Sequence, residues 1–194
     1  MNAITLARKP LVIFILLALL MAATRYHHFG SALHLPDASL AVFFMAGFYL
    51  AGVLAFPVLL VEAGLIDYLA ITVGGVSDFC VTPAYGFLIP AYGAMWFAGR
   101  WAAGKVQMRW QSLLPLFGAL FVATSIAFLI SNGAFYMLSG RFPDLSWAQY
   151  SERVAKYYPP YVAWAFFYVA FAAFVHWAAA TIGQMRALRG GRTG

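Results

Sequence analysis

The sequence predicts an all-α integral membrane protein: one domain over residues 1–194, six transmembrane helices, and both termini on the cytoplasmic side. Three observations carry this expectation. The chain is 64% hydrophobic and 9% charged, where soluble domains hold about 25% charged residues. With a mean hydropathy of +0.81, no soluble fold of this length could hide its apolar surface. Apolar stretches recur between short polar segments, and the basic residues gather in segments that one topology brings to a single side. In such a chain a net charge of +6 reads as cytoplasmic anchoring, not as nucleic-acid binding.

The first helix is expected over Leu11–Thr24, after Arg8, Lys9 and Pro10. A positive start, a short apolar run and small residues at Ala22 and Ala23 also fit a secretory leader. The start at Met1 favours a retained helix. Ala18 and Ala22 lie four apart, a spacing that lets another helix approach closely. Leu35-Pro36-Asp37 restarts a helix, because proline suits a first turn and aspartate suits the positive end. From Ala38 to Val76 the chain is apolar, broken by Ser39, Glu62, Asp67 and Thr72 among polar groups. At about 1.5 Å per residue this is too long for one span. Two short spans with a turn near Gly52 to Pro57 put Arg8, Lys9, Arg100, Lys105, Arg109, Arg186, Arg189 and Arg192 on one side, as the positive-inside rule prefers.

The fourth helix is expected over Ala84–Ala103, the fifth over Ser112–Leu138 and the sixth over Pro160–Ile182, with a long outer loop from Ser139 to Tyr158. Trp96, Trp101, Trp110 and Trp177 then fall toward the inner interface. Trp147, Tyr150, Tyr157, Tyr158 and Tyr161 fall toward the outer one, so that aromatic belts form at both. The outer loops Arg25–Leu35, Val73–Pro83 and Ser139–Tyr158 are polar and varied, which points to capture of something from outside.

The most informative stretch is Asp67 to Tyr85. Asp67 lies near the outer end of the third helix and Glu62 deeper; an ionisable group in a membrane helix points to a function with a partner, which is the reading for Asp67, while for Glu62, with no partner named, a functional and a structural role stand equal. Arg25, at the same level, is the candidate counter-charge for Asp67. The single cysteine, Cys80, excludes an internal disulfide and lies in a loop with Gly74, Gly75, Ser77, Asp78 and Pro83, where the backbone can bend close to a ligand. A thiol is mostly protonated at neutral pH, a bound metal deprotonates it, and the thiolate suits a soft metal centre. Zinc needs several convergent ligands, and His27, His28, Asp67 and Cys80 are the candidates. A haem clamp by His27 or His28 with His176 fails, since His176 sits on the order of 24 Å below the outer end of the last helix. Gly99-Arg100-Trp101-Ala102-Ala103-Gly104-Lys105-Val106 nearly matches a phosphate-binding loop but lacks the final Ser or Thr and follows a membrane helix, not a strand. No ATPase is expected in this chain.

His28-Phe29-Gly30, Leu35-Pro36-Asp37-Ala38-Ser39 with Phe43-Phe44, Asp67-Tyr68, Val76-Ser77-Asp78-Phe79-Cys80 and Thr82-Pro83-Ala84-Tyr85 together resemble the BtuM family. These are small cobalamin-specific substrate-binding (S) components related to energy-coupling-factor (ECF) vitamin transporters. The resemblance covers essentially the whole chain and is most specific over Asp67–Tyr85. It implies an ECF S-component-like fold and uptake of cobalamin (vitamin B12) across the bacterial inner membrane. It makes Cys80 the axial ligand of the cobalt, with His28, Asp67 and Tyr85 shaping the site. Phe29, Phe79, Tyr85, Tyr157 and Tyr158 are candidates for flat contact with the ring. A thiolate on cobalt would weaken or displace an upper ligand such as cyanide, so Cys80-dependent decyanation, with another thiol supplying electrons, is an attached expectation. Relatives work with a coupling subunit and two ATPases, docking through small-residue faces such as Ala18 and Ala22, or act alone. The alternatives are an S-component for another vitamin, such as thiamin or riboflavin, and a small membrane metal-handling protein using Cys80 and His28.

Overall fold

A computed structural model describes residues 3–26, 35–50, 52–106 and 110–190. They form six α-helices: α1 (Ala3–Arg25), α2 (Ser39–Tyr49), α3 (Ala55–Thr72), α4 (Leu88–Ala103), α5 (Leu113–Leu138) and α6 (Trp147–Gly190). Single 3-10 turns precede α4 (Pro83–Phe87) and α5 (Trp110–Ser112). No strand occurs among the described residues. Residues 55–72, 113–138 and 147–183 are helices long and apolar enough to cross a membrane, while 10–25 and 39–49 are shorter apolar helices. The protein is thus a helical membrane protein.

The bundle is built around α2. Its 11 residues rise about 16 Å, well short of the roughly 30 Å hydrocarbon core of a bilayer. Yet Ser39 and every residue from Ala41 to Gly47 are buried. A helix apolar on all sides belongs inside, and α1, α3, α4 and α6 all pack on this one. The tightest approach is to α4. A Cβ on Gly47 would collide with the carbonyl oxygen of Trp96, and one on Gly99 with that of Phe44. Glycine at these two positions lets the backbones meet, as small residues do in membrane helix pairs. Phe43 stacks on Tyr92 at 4.3 Å between ring centres, and Phe56 meets Trp96 edge-on at 5.7 Å.

The break between the second and third helices falls where the sequence puts it, between Tyr49 and Ala55. Three expectations need correction. Pro36 does not open a helix: α2 starts at Ser39, whose N–H and Oγ donate to Asp37 Oδ1 at 2.9 and 2.6 Å. That aspartate-led turn offers the backbone an alternative to an earlier helical start. Trp96 is buried in the core rather than placed at an interface. The long loop Ser139–Tyr158 is mostly helix, for α6 begins at Trp147 and runs through Pro159 and Pro160. Its start is a cap: Gln149 N–H donates to Ser146 Oγ at 3.2 Å, and Tyr150 N–H to Ser146 O at 3.0 Å. Ser-Trp-Ala-Gln is a capping-box sequence, a stronger start signal than the two prolines, which membrane helices tolerate in their interior.

Candidate functional site

The buried charge among the described residues collects at one end. Arg25, the last residue of α1, is buried and holds Asp67 of α3 with two parallel hydrogen bonds, Nε to Oδ1 at 2.8 Å and Nη2 to Oδ2 at 2.6 Å. Its Nη1 donates to Tyr92 Oη of α4 at 2.7 Å and to Ser39 Oγ of α2 at 2.9 Å, with Asp37 Oδ2 at 3.4 Å. Tyr85 Oη donates to Asp67 Oδ2 at 2.6 Å. One guanidinium therefore joins four helices. A bidentate arginine–carboxylate pair with its remaining lone pairs and protons occupied is the form in which buried charge is tolerated. The same end is tied further by Tyr168 Oη of α6, which donates to Pro36 O at 2.7 Å, and by Ala38 N–H, which donates to Thr24 Oγ1 at 3.1 Å.

The thiol loop leaves α3 beside this network. Gly74 N–H donates to Leu69 O at 3.1 Å and Val76 N–H to Ala70 O at 3.0 Å, while Gly75 takes a φ of 67°. Helices commonly end on such a left-handed glycine, which carries no Cβ penalty. Gly74 passes close under the Tyr26 hydroxyl, 2.6 Å from where its Cβ would lie. Val81 N–H then donates to Asp78 O at 2.8 Å, so Phe79 and Cys80 occupy the two central positions of a tight turn. Phe79 is exposed and Cys80 half-buried.

Two arginines flank the turn. The Arg141 guanidinium lies over the Phe79 ring at 4.6 Å, with Nη2 at 3.5 Å from Phe79 O. Phe79 leans on Phe135 of α5 at 5.7 Å. The Arg153 guanidinium of α6 sits among Phe142, Tyr157 and Phe135 at 4.7, 5.1 and 5.6 Å. Burial pushes the Cys80 thiol above its ordinary pKa and the Asp67 carboxylate adds to this, against an opposing pull from Arg141 and Arg153. The thiol is therefore protonated at neutral pH, and a centre that binds its sulfur must displace a proton. Thr82 Oγ1, Asn132 Oδ1 and Arg153 Nε are buried at this end without a hydrogen-bond partner among the described residues.

Asp67, Phe79, Cys80 and Tyr85 thus come to one end, and Arg25 is the counter-charge of Asp67. His27, His28 and Phe29 lie outside the described residues. Glu62 is half-buried on α3 and takes no part in the network. Tyr158 and Tyr161 bond to Ser125 and Ser131 of α5 at 2.7 and 3.3 Å, which ties α6 to α5 instead of offering these hydroxyls to a ligand. Tyr157 remains exposed. Arg141 and Arg153 were not among the expected site residues. Their signal is sequence order: they bracket the start of α6, which the expected outer loop Ser139–Tyr158 carries to the same end as the Cys80 loop. The near match to a phosphate-binding loop lies at the C-terminal end of α4, where the helix presents carbonyls and repels phosphate.

The fold and the site define a helical membrane protein whose polar end carries one accessible thiol over a buried ion pair. Comparison of the chain with protein-family models and with curated proteins gives no match.

Proposed function

We propose that the chain is an S-component-like carrier that captures cobalamin at its polar end and moves it across the bacterial cytoplasmic membrane. In this reading all six helices cross the bilayer, both termini are cytoplasmic, and the Cys80 thiolate is an axial ligand of the cobalt. The observation that carries it is the Phe79–Cys80 turn: the chain's one thiol, half-buried at the centre of a tight turn, flanked by Arg141 and Arg153. Asp67, held by Arg25 and Tyr85, is the floor that positions the loop. His28 is the further contact that the family resemblance adds. Phe79 and Tyr157 are exposed at this end and available to a flat ring. The described residues contain no group of three His, Cys, Asp or Glu side chains placed for a metal ion. The alternative of a metal held by protein ligands alone therefore draws no support from them. Docking to a coupling subunit would use α1, where Ala22 is exposed and Ala18 half-buried.

Binding exchanges ligands without moving electrons: the sulfur lone pair goes to cobalt(III), the upper cyanide leaves with its own pair, and the proton lost by the thiol ends on the cyanide, which departs as hydrogen cyanide. A reduced product requires a second thiol from solution. Purified protein mixed with cyanocobalamin tests this. We expect a changed cobalt spectrum and released cyanide, both absent in Cys80→Ala. Because the thiol titrates above its ordinary value and the thiolate is the form that binds metal, the rate of the spectral change should rise by up to about tenfold per pH unit between about pH 6 and 8. An unchanged spectrum in Cys80→Ala, or a flat pH profile, would sink the cobalt–sulfur bond. Growth of a cobalamin-dependent host with this chain as sole importer tests transport; failure with good expression refutes solitary transport.

A further inference from the structure

Among the described residues the ion pairs are those of Arg25 with Asp37 and Asp67; Arg141 and Arg153, at the Cys80 end, join none. Rings hold these two cations instead. Arg141 lies over Phe79 at 4.6 Å, Phe79 leans on Phe135 at 5.7 Å, and Arg153 sits over Phe135, Phe142 and Tyr157 at 5.6, 4.7 and 5.1 Å. Stacking occupies the faces of a guanidinium, while its N–H donors lie in the plane and stay available to an acceptor. Arg141 directs one of them at Phe79 O, at a long 3.5 Å. Arg153 Nε is buried and meets no acceptor among the described residues. Two more polar atoms at this end share that condition: Thr82 Oγ1, two residues past Cys80, and Asn132 Oδ1, one turn before Phe135 on α5. Buried polar groups are normally paired, so three unpaired ones at one end point to a polar group that arrives with a ligand. Both arginine charges also reach the Cys80 sulfur, where they oppose the effect of burial on the thiol. A ligand held on that sulfur feels both.

We propose that Arg153, with Arg141, forms an anion subsite beside Cys80 that holds the phosphate diester of the bound corrinoid. This rests on the reading of the chain as a cobalamin carrier and adds a second anchor to the cobalt–sulfur bond. Outside the metal's own coordination, cobalamin carries one anionic group, the phosphate diester that joins the ring to its nucleotide. The side chains of its ring are uncharged amides. An arginine fork meets a phosphate with two parallel hydrogen bonds, and a guanidinium already fixed by three rings loses little freedom in making them. If the arginines served the thiol alone, by favouring the thiolate, every corrinoid would benefit equally. A phosphate contact favours only those that carry the phosphate.

Cobinamide keeps the corrin and its cobalt and lacks the phosphate and nucleotide, so it separates these two roles. The affinities of the full chain in detergent for cyanocobalamin and for dicyanocobinamide are measured by titration calorimetry. The readout is their ratio, from which an effect on the thiol cancels. Arg153→Gln should shift that ratio against cobalamin by about tenfold, the contribution of a charge-assisted hydrogen bond, with cobinamide still bound. Arg153→Lys, which keeps the charge without the planar fork, should recover only part of the loss. Arg141→Gln, an exposed change, should shift the ratio the same way by about threefold. An unchanged ratio in both glutamine variants overturns the subsite and leaves the carrier reading standing. Binding of neither corrinoid by the unmodified chain overturns both. If Arg153→Gln loses cobinamide as well, the ratio in Arg141→Gln decides. Added inorganic phosphate should weaken cobalamin and spare cobinamide; equal weakening of the two would mark a free-anion site and overturn the proposal.

Discussion

The two ends of this bundle are held by different forces. At the Cys80 end, one arginine bonds to side chains from three other helices, and a second carboxylate, two tyrosines and a serine complete its surroundings. At the other end, among the described residues, α2 and α6 are joined by one side-chain hydrogen bond of 3.3 Å and the stacking of the same two rings, beside an open apolar cleft. In a low dielectric a satisfied polar network is strong and fixed in geometry, and an incomplete one is costly. The chain therefore buries its charged groups where a turn must be held steady, and keeps those of the far end exposed beside apolar contacts. A loop that has to present one sulfur atom gains from a rigid base; an apolar cleft does not need one.

Breaking the strong end is the largest predicted effect. Arg25→Met leaves Asp67 buried without its counter-charge, and loss of one partner of a buried pair costs about 3–5 kcal/mol. The thermal midpoint of the detergent-purified protein should fall sharply. Arg25→Met combined with Asp67→Leu should recover much of the loss, because a buried pair replaced by apolar groups is often neutral. A single mutant within about 1 kcal/mol of the parent would mean that the network does not hold the helices together.

The core between the two ends offers the next effect. Gly99→Val puts a branched side chain against the Phe44 carbonyl. Overpacking costs about 1–3 kcal/mol, toward the upper end here because the obstacle is backbone and cannot rotate away. Gly118→Ala is the control: nothing lies within 4 Å of its Cβ position. Removing a mid-helix glycine should instead stabilise the protein by about 0.5–1 kcal/mol. Opposite signs in chemical denaturation separate a crossing glycine from an incidental one.

Much of the polar end was legible in the sequence, and the reasons are physical. Asp67 stood out because charge in a membrane helix is expensive, and Arg25 was the cation at the same level. Tyr92 was not found, although it lies seven residues after Tyr85, a spacing that returns to one helix face. In an aromatic-rich chain that spacing carries little signal by itself. Asp37 was read as a partner of the helix dipole, when its carboxylate accepts from Ser39 and approaches Arg25. Periodicity could not reveal that α2 is buried on every side, because lipid-facing and protein-facing positions are equally apolar. Gly47 and Gly99 carry that information, but only as a pair brought together by the fold. The start of α6 was placed at Pro160, because the Ser146–Gln149 cap that begins the helix at Trp147 was not read.

The smallest effect compares the same substitution at both ends. Tyr85→Phe removes a 2.6 Å hydrogen bond to a buried, ion-paired carboxylate. Asp67 keeps Arg25, and the half-buried position can admit water, so the cost should be about 1 kcal/mol. The vacated lone pair of Asp67 lies beside the Cys80 loop, so the rate of thiol labelling should change as well. Tyr49→Phe removes a longer bond to an exposed histidine and keeps the ring that stacks on His176. Its effect on stability should stay within about 0.5 kcal/mol, with thiol labelling unchanged. If Tyr49→Phe costs as much as Tyr85→Phe, the far end is also held by its polar contact, and the contrast between the two ends fails.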